Sequence, residues 1–344
     1  MANYGYLNAR VRGMRARLVP PGFVEQVLAG GGFEAFANAL AQTAYAPDLE
    51  TVRGPVAAGR PALPAVDQAI AAHFRRVATA LMAYAEDGAK TQLGLLLRRY
   101  DVANLKAVAR AFHAGRAGAD HEGAAEAVLA ATLPVGELDA RTLRTMATAS
   151  DLPAAAQALA VAGHPLADAF REAVGAYVRQ GELFALELAL DQAHHASVLE
   201  GARRSGASDA FRQYLALGVD ATNLLTALTL RGRELEAGPC FVPGGEWLSL
   251  QQFLQTAAAE PGAPLPQLRG PFASAHEHAG ELEGWLRLAL ERSARKLTAD
   301  PLDIGLVTHF LRVKERETAT LRLLARGTFY GVPAETLRRE VGHA

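Results

Sequence analysis

The stretch RRYDVANLKAVAR, residues 98–110, decides how the rest of the chain is interpreted. An Asp is followed three residues later by an Asn and then by Leu-Lys, in a segment that otherwise has the composition of a helix. Asn is disfavoured inside helices because its amide competes with the backbone for hydrogen bonds. The apolar residues nevertheless recur at helical spacing, at Val102, Leu105, Ala109 and Phe112. The polar pair therefore needs an explanation.

The same pattern recurs twice along the chain. DVANLKAVAR (101–110) resembles DATNLLTALT (220–229), and ETATLRLLAR (317–326) is a weaker third copy. Each copy has an acid, two small or apolar residues, an Asn or Thr, and then a Leu. The signature residues are Asp101, Asn104, Leu105, Asp220, Asn223, Leu224, Glu317, Thr320 and Leu321. The alternative is chance similarity between Leu-rich helices.

The copies recur about every 100 residues, which is a domain-sized interval and longer than the period of solenoid repeats. This spacing predicts three related helical modules, which we place at residues 1–125, 126–240 and 241–344. We expect each acid to lie at a helix start, where the helix dipole and free N–H groups favour a carboxylate. The Asn would face the connection that precedes the helix, where its amide would tie two backbone segments together, and the Leu would anchor the module core. The signature is thus predicted to be structural rather than catalytic.

The composition predicts an all-α protein. Of 344 residues, 50% are hydrophobic and 21% are charged, and good helix formers dominate while alternating β-branched runs are almost absent. The net charge of -1 argues against a chain-wide basic surface for nucleic acid. The single cysteine, Cys240, allows neither an intrachain disulfide nor a cysteine-based zinc site. We expect no transmembrane segment, because no run of about 18 apolar residues occurs.

One helical face raises a metal hypothesis. Glu187, Asp191 and His195 are spaced four apart, with His194 beside them. Carboxylates and histidines in a helix can bind zinc or iron, but such helical sites usually need a second Glu-x-x-His helix, and none is found. We therefore favour a polar helix face or a contact between modules and predict no metal site.

Other motifs of chemistry are missing from the sequence. GGGF (30–33) lacks the downstream Lys of a phosphate-binding loop, and no Gly-x-Ser-x-Gly nucleophile motif is present. We therefore predict no catalytic and no cofactor-binding residues. The densest basic cluster comprises Arg10, Arg12, Arg15 and Arg17. It is either a contact for an acidic partner or a solvated helix face, and the sequence leaves both open.

Four stretches resemble the C subunit of the V/A-type ATPases, the family that includes the d subunit of the eukaryotic vacuolar enzyme. They are YGYLNARVRGMRARLV (4–19), RYDVANLKAVAR (99–110), ALELALDQAHHASVL (185–199) and FLRVKERETATLRLLARGTFYGVPAETLRREV (310–341). The family more often has tyrosines at the places of His194 and His195, and Asn at the place of Thr320. The matches span nearly the whole chain, and their order and spacing make the resemblance specific.

The resemblance implies a non-catalytic rotor adaptor. Such a protein is an all-helical funnel of three similar subdomains around a pseudo-threefold axis. It is peripheral to the inner, cytoplasmic face of the membrane, where it links the central shaft (the D and F subunits) to the proteolipid ring and transmits torque for coupled ion transport. It binds no nucleotide. A helical scaffold for another protein partner, and a helical metal-carboxylate enzyme, are the two alternatives.

Overall fold

The computed structural model describes residues 4–59, 61–116, 127–130 and 132–343. Within these ranges the regular structure is helical and no strand occurs, which confirms the all-α prediction. The α-helices are α1 (Tyr4–Arg15), α2 (Phe23–Gly30), α3 (Gly32–Leu40), α4 (Ala46–Ala57), α5 (Ala62–Tyr84), α6 (Asp87–Arg116), α7 (Ala140–Ala147), α8 (Leu152–Val161), α9 (Ala167–Gln180), α10 (Leu183–Arg204), α11 (Asp209–Leu230), α12 (Leu250–Ala258), α13 (Leu282–Lys296), α14 (Gly305–Phe329) and α15 (Ala334–His343). Residues 127–130 are also helical.

The chain divides into two compact units. The central unit is Asp87–Ala279, and the terminal unit joins Ala2–Glu86 to Gly280–Ala344. The terminal unit therefore combines both ends of the sequence. The division into three modules stays a prediction.

In the central unit, α6 packs along α10, and α9 packs on both α8 and α10. The predicted apolar stripe of α6 is buried in this core, with Leu105 and Ala109 fully inaccessible. Burying a Leu side chain stabilises a fold by roughly 1.5–3 kcal/mol. The helices approach closely where Gly201 of α10 meets α6, since a Cβ there would lie 2.6 Å from a Leu95 methyl group. The motif helix is thus held in the core by its apolar face.

In the terminal unit, α14 packs against α1, α3, α5 and α13. Its signature residue Leu321 is fully buried among Phe36, Leu40 and Ile70 of the N-terminal helices. A new helix starts after Pro333, as the sequence predicts, and runs over Ala334–His343. Gly327 lies inside α14, where a Cβ would come within 2.1 Å of Leu337 on α15. The close packing of α15 on α14 explains that glycine.

Capping side chains define the starts of several helices. Asp139 accepts a hydrogen bond from Thr142 N at the start of α7, and Asp151 accepts one from Ala154 N at the start of α8. Ser249 forms a capping box with Gln252 at the start of α12. Two of these caps, Asp139 and Ser249, fix where helices begin directly after the loops that the signature residues contact.

Candidate functional site

The first signature acid lies in the interior of α6 and not at a helix start. Asp101 is fully buried, and its carboxylate accepts hydrogen bonds from Glu137 N at 2.8 Å and Leu138 N at 3.2 Å. His164 Nε2 lies 3.3 Å from the same carboxylate. The prediction that the acid begins its helix is wrong. The side chain instead satisfies backbone N–H groups of a loop that precedes α7.

Asn104, one helical turn further on, forms hydrogen bonds to the same loop. Its amide donates to Leu133 O at 3.0 Å, and its side-chain oxygen accepts from Leu133 N at 2.9 Å. Both backbone groups of one residue are therefore satisfied by one side chain, as in a strand pair. The amide does tie two backbone segments together, but it contacts the connection that follows the helix.

The second copy repeats the arrangement in α11. Asp220 is fully buried and accepts hydrogen bonds from Glu246 N at 2.8 Å, Trp247 N at 2.9 Å and Leu248 N at 3.1 Å. Burial raises the pKa of Asp220 above its usual range, while the three N–H donors act in the opposite direction.

Asn223 completes the second copy. Its amide donates to Val242 O at 2.7 Å and its side-chain oxygen accepts from Val242 N at 2.8 Å. The two copies therefore use the same side chains for the same backbone task.

The loops that receive these side chains share a pattern that the sequence analysis missed. LPVGELD (133–139) and VPGGEWLS (242–249) both have a residue gripped by Asn, then Pro, a Gly, a Glu and finally a helix N-cap. A Cβ on Gly136 would lie 2.3 Å from the Asp101 carboxylate, and one on Gly245 would lie 1.9 Å from Asp220 Oδ1. Glycine is required at both positions because the carboxylate occupies the space of a side chain.

The third copy contacts a loop at the opposite end of the sequence. Glu317 of α14 accepts a hydrogen bond from Val19 N at 2.7 Å. Val19 begins VPPG (19–22), which has the same Pro and Gly spacing as the two other loops. Here a Glu, and not an Asn, holds the residue before the proline. The third copy is therefore completed by the N-terminal segment, within the terminal unit.

Glu317 also belongs to a buried polar network. Its carboxylate accepts a hydrogen bond from the Tyr45 hydroxyl at 2.8 Å and forms an ion pair with Lys314. Burial raises the pKa of Tyr45, which keeps the hydroxyl protonated as a donor. Burial lowers the pKa of Lys314, and Glu317 opposes that shift. The Lys314 ammonium also lies 4.5 Å from the centre of the Tyr45 ring.

The network continues from Tyr45 to His73. The His73 ring stacks on Tyr45 with centroids 3.8 Å apart, and His73 Nδ1 lies 3.0 Å from Asp48 Oδ2. Burial, together with Lys314, lowers the pKa of His73 to about 4, so the ring is neutral near pH 7. Burial raises the pKa of Asp48, but hydrogen bonds from Arg76 and His73 outweigh it and hold that pKa below its usual range.

The residues of the metal hypothesis form ion pairs between helices. Glu187 makes two hydrogen bonds to the Arg110 guanidinium, at 2.6 and 2.7 Å, and Asp191 pairs with Lys106 at 2.6 Å. His195 Nε2 lies 3.2 Å from the Thr222 hydroxyl. Each carboxylate is thus engaged by a cation of α6, and the cluster connects α10 to its neighbours.

A second group with the composition of a metal site comprises Asp101, Glu137 and His164. Its carboxylate and imidazole atoms also already have hydrogen-bond or ion-pair partners within the protein. His164 Nδ1 accepts a hydrogen bond from Leu166 N at 3.1 Å, which leaves Nε2 as the protonated nitrogen facing Asp101. Glu137 pairs with Arg98 at 2.6 Å. The geometry therefore favours a hydrogen-bonded structural cluster over a metal centre.

A basic pocket of about 950 Å³ opens in the terminal unit and divides the arginine cluster of the N-terminal segment. Arg10 and Arg17 line the pocket, whereas Arg12 and Arg15 are exposed and are not part of its lining. Arg10 donates to the Tyr84 hydroxyl at 2.6 Å, and its guanidinium lies 4.3 Å from the centre of that ring. The four arginines are therefore two pairs in different surroundings.

None of the helices in the part of the chain that the structure describes combines the length and the apolar character needed to cross a membrane.

Comparison with known proteins identifies the class. Residues 7–340 match the family model described as ATP synthase (C/AC39) subunit. The chain is 34% identical over 340 residues to the C subunit of the V-type ATP synthase of Deinococcus radiodurans, covering 98% of this chain and 91% of the relative. It is 35% identical over 343 residues to the C subunit of the V-type ATP synthase of Thermus thermophilus, covering 98% of both chains.

A more distant likeness, 22% identity over 362 residues, is to the C subunit of the A-type ATP synthase of Methanocaldococcus jannaschii, with 98% of this chain and 86% of the relative covered. The chain belongs to the ATP synthase (C/AC39) subunit family. It is a subunit of a rotary ATPase rather than an enzyme in its own right, and the resemblance found from its sequence is confirmed.

The loop glycines give a first prediction. Gly136→Ala and Gly245→Ala should each lower the melting temperature, because the added methyl group collides with a buried carboxylate, at a cost of about 1–3 kcal/mol. Gly218→Ala in α11 is the matched control, since a Cβ there meets no atom within 4 Å and alanine is the better helix former. Thermal unfolding followed by circular dichroism measures all three. Loop variants as stable as the Gly218 variant would contradict this account of the contacts.

The neutral His73 gives a second prediction. Its pKa rises from about 4 in the folded protein towards the ordinary value of about 6.5 on unfolding, so unfolding takes up a proton between these values. The stability is therefore fully present above pH 6.5 and falls as the pH drops towards 4. His73 alone should cost about 2 kcal/mol between pH 7 and pH 5. Denaturant unfolding of His73→Gln at both pH values should show a correspondingly smaller loss.

His276→Gln is the control for that experiment, because His276 is exposed. It should leave the wild-type pH dependence unchanged. His195, whose pKa burial also lowers to about 4, keeps part of the slope in every variant. An unchanged slope in the His73 variant would show that the pKa of His73 is the same in the folded and the unfolded protein and would contradict this account.

Proposed function

We propose that the chain is the non-catalytic adaptor of the central rotor of a V/A-type ATPase, linking the shaft (the D and F subunits) to the membrane proteolipid ring. The observation that carries the proposal is the family match over residues 7–340, together with the coverage of 98% of the chain by relatives that are named as C subunits. In this role the protein transmits torque and couples ion transport to ATP synthesis or hydrolysis.

The buried contacts of the signature residues support a mechanical role. A torque-transmitting part must keep its shape under load, and loops held at both N–H and C=O groups resist local opening because each freed buried group costs about 1–3 kcal/mol. Asp101 and Asn104 hold one loop in this way, and Asp220 and Asn223 hold another. We interpret the three copies as the marks of three modules around a pseudo-threefold axis.

The proposed location follows from the proposed partners. An adaptor between shaft and ring lies at the cytoplasmic face of the membrane, peripheral to it, and is retained there through the ring. The N-terminal segment is the proposed region of contact, and its candidate contact residues are the exposed Arg10, Arg12, Arg15 and Arg17. Neither nucleic acid nor nucleotide is a proposed ligand.

The two alternatives make different predictions. A helical scaffold for another partner would share the fold and would bind neither shaft nor ring. A metal-carboxylate enzyme would need Glu187 and Asp191 to release Arg110 and Lys106, with which they form ion pairs. The ion pairs weigh against the enzyme.

A direct binding experiment tests the adaptor role. The purified chain is immobilised and presented with the D–F complex and, separately, with the detergent-solubilised ring. Binding to both is the expected result. If the folded chain bound neither, the adaptor proposal would be abandoned in favour of the scaffold.

Asn104→Leu separates architecture from contact. The variant should lower the melting temperature, because the half-buried Leu133 N–H and C=O lose their partner, at a cost of about 1 kcal/mol per hydrogen bond. Protein that remains folded should bind the D–F complex within about twofold of wild type, a change of less than ~1 kcal/mol. Ala103→Leu, at an exposed position of the same helix, is the control and should alter neither quantity. A stable Asn104 variant that no longer binds the shaft would make the stretch a contact surface.

A further inference from the structure

The basic pocket of the terminal unit has walls from both ends of the sequence. Helix α1 forms one wall, α5 forms another, and α14 contributes Phe310 and Lys314. The loop after α3 adds Gln42 and Thr43. A volume of about 950 Å³ is at the upper end of the range for ligand pockets. The site is thus large enough for several side chains.

Every charged residue among those that line the pocket is basic. They are Arg10, Arg17, Arg76 and Lys314, with the neutral His73 beside them. Neither Asp nor Glu occurs in this lining. A concave surface lined by one sign of charge attracts ligands of the opposite sign. The pocket is therefore suited to an anionic occupant.

The positive charges fall into two groups. Lys314 is paired with Glu317, and Arg76 is paired with Asp48, so these cations are largely neutralised by the protein itself. For Arg10 and Arg17, the described residues offer no carboxylate at ion-pair distance. The Arg10 guanidinium is held against Tyr84, which orients it without neutralising it. Two uncompensated arginines thus remain to bind carboxylates, a task for which the guanidinium fork is well suited.

The remaining lining is mostly apolar. It includes Met14, Leu18, Phe23, Val77 and Phe310. A free phosphate or another small anion would leave this apolar surface exposed to water and would fill only a small part of the pocket volume. An occupant that carries both carboxylates and apolar side chains satisfies both parts of the lining, and a polypeptide segment has this chemistry.

We propose that the basic pocket holds an acidic segment of a partner protein of the rotor, with carboxylates on Arg10 and Arg17 and at least one apolar side chain against the half-buried Met14, Leu18 and Val77. The proposal rests on the rotor-adaptor function and names the chemistry of one of its contacts. It assigns different roles to the four arginines: Arg10 and Arg17 bind the segment, while Arg12 and Arg15 do not.

Paired charge reversals test this assignment. Arg10→Glu/Arg17→Glu is compared with Arg12→Glu/Arg15→Glu, which makes the same change in net charge in the same segment outside the pocket lining. Affinity for the D–F complex and for the solubilised ring is measured for both. The pocket pair should weaken binding to one partner by about tenfold or more, since a hydrogen bond to a charged group typically contributes that much. The control pair should change it by less than about threefold.

Two single variants, Arg17→Glu and Gln42→Glu, test the pocket without changing Arg10. The contact between Arg10 and Tyr84 therefore stays intact in both variants. Both positions are exposed and line the pocket, so neither change disturbs the core. Each should weaken the same partner interaction in protein with a wild-type melting temperature. A photoreactive phenylalanine analogue at position 42 should crosslink to an acidic segment of that partner, identified by mass spectrometry.

The outcomes separate the pocket from the adaptor role. If the wild-type protein binds a partner and the pocket variants bind it equally well, the pocket proposal alone is overturned. The same holds if both arginine pairs lose affinity equally, because the effect then comes from the net charge of the segment and not from the pocket. Absence of wild-type binding to both partners overturns the adaptor role itself. Arginine-dependent binding of phosphatidylglycerol vesicles, or of inorganic phosphate at millimolar concentration, without a crosslink to either partner would replace the acidic segment by a phosphate ligand.

Discussion

The structure depends on side chains inside helices that satisfy the backbone of loops. In α6 and α11 an Asp and an Asn project from helix interiors and bind N–H and C=O groups of loops that are buried or half-buried. A buried backbone N–H or C=O group without a hydrogen-bond partner destabilises the folded state by about 1–3 kcal/mol. Folding therefore requires that such groups find partners. The carboxylate organises two or three N–H donors at once. The loop therefore acquires one shape without any strand or disulfide.

The terminal unit solves the same problem with different chemistry. Glu317 receives Val19 N, but it also receives the Tyr45 hydroxyl and pairs with Lys314. A carboxylate this deeply buried is tolerable only because its neighbours donate to it or are neutral. The neutral state of His73, stacked on Tyr45, belongs to the same balance. Because Glu317 and Val19 are 298 residues apart, this unit requires both ends of the chain to fold together.

The sequence predicts the helices and the polar signature but not the partners of that signature. Apolar spacing is a local property, so the stripe through Leu105 and the helix after Pro333 could be predicted. The loop that Asp101 binds lies 36 residues further along the chain, and helix propensity contains no information about that distance. Propensity even gave the wrong place for Asp101, since burial against N–H donors outweighs the preference of polar residues for helix ends. The Pro and Gly that the three loops share are visible in the sequence. They identify the loops as partners of the signature only once the structure shows that the signature helices bind them.

The arginines of the N-terminal segment also show what the sequence alone could not predict about the candidate site. As a sequence they form one cluster, yet Arg12 and Arg15 lie roughly 140–200° around α1 from Arg10, and Arg17 lies in the turn that follows the helix. Asn8 lies on the side of Arg12 and Arg15, and it binds the backbone oxygens of Pro301 and Asp303. That contact fixes the rotation of α1 about its own axis. The rotation, which no local pattern reveals, turns Arg10 towards Tyr84 of α5, and the turn after α1 brings Arg17 to the same pocket.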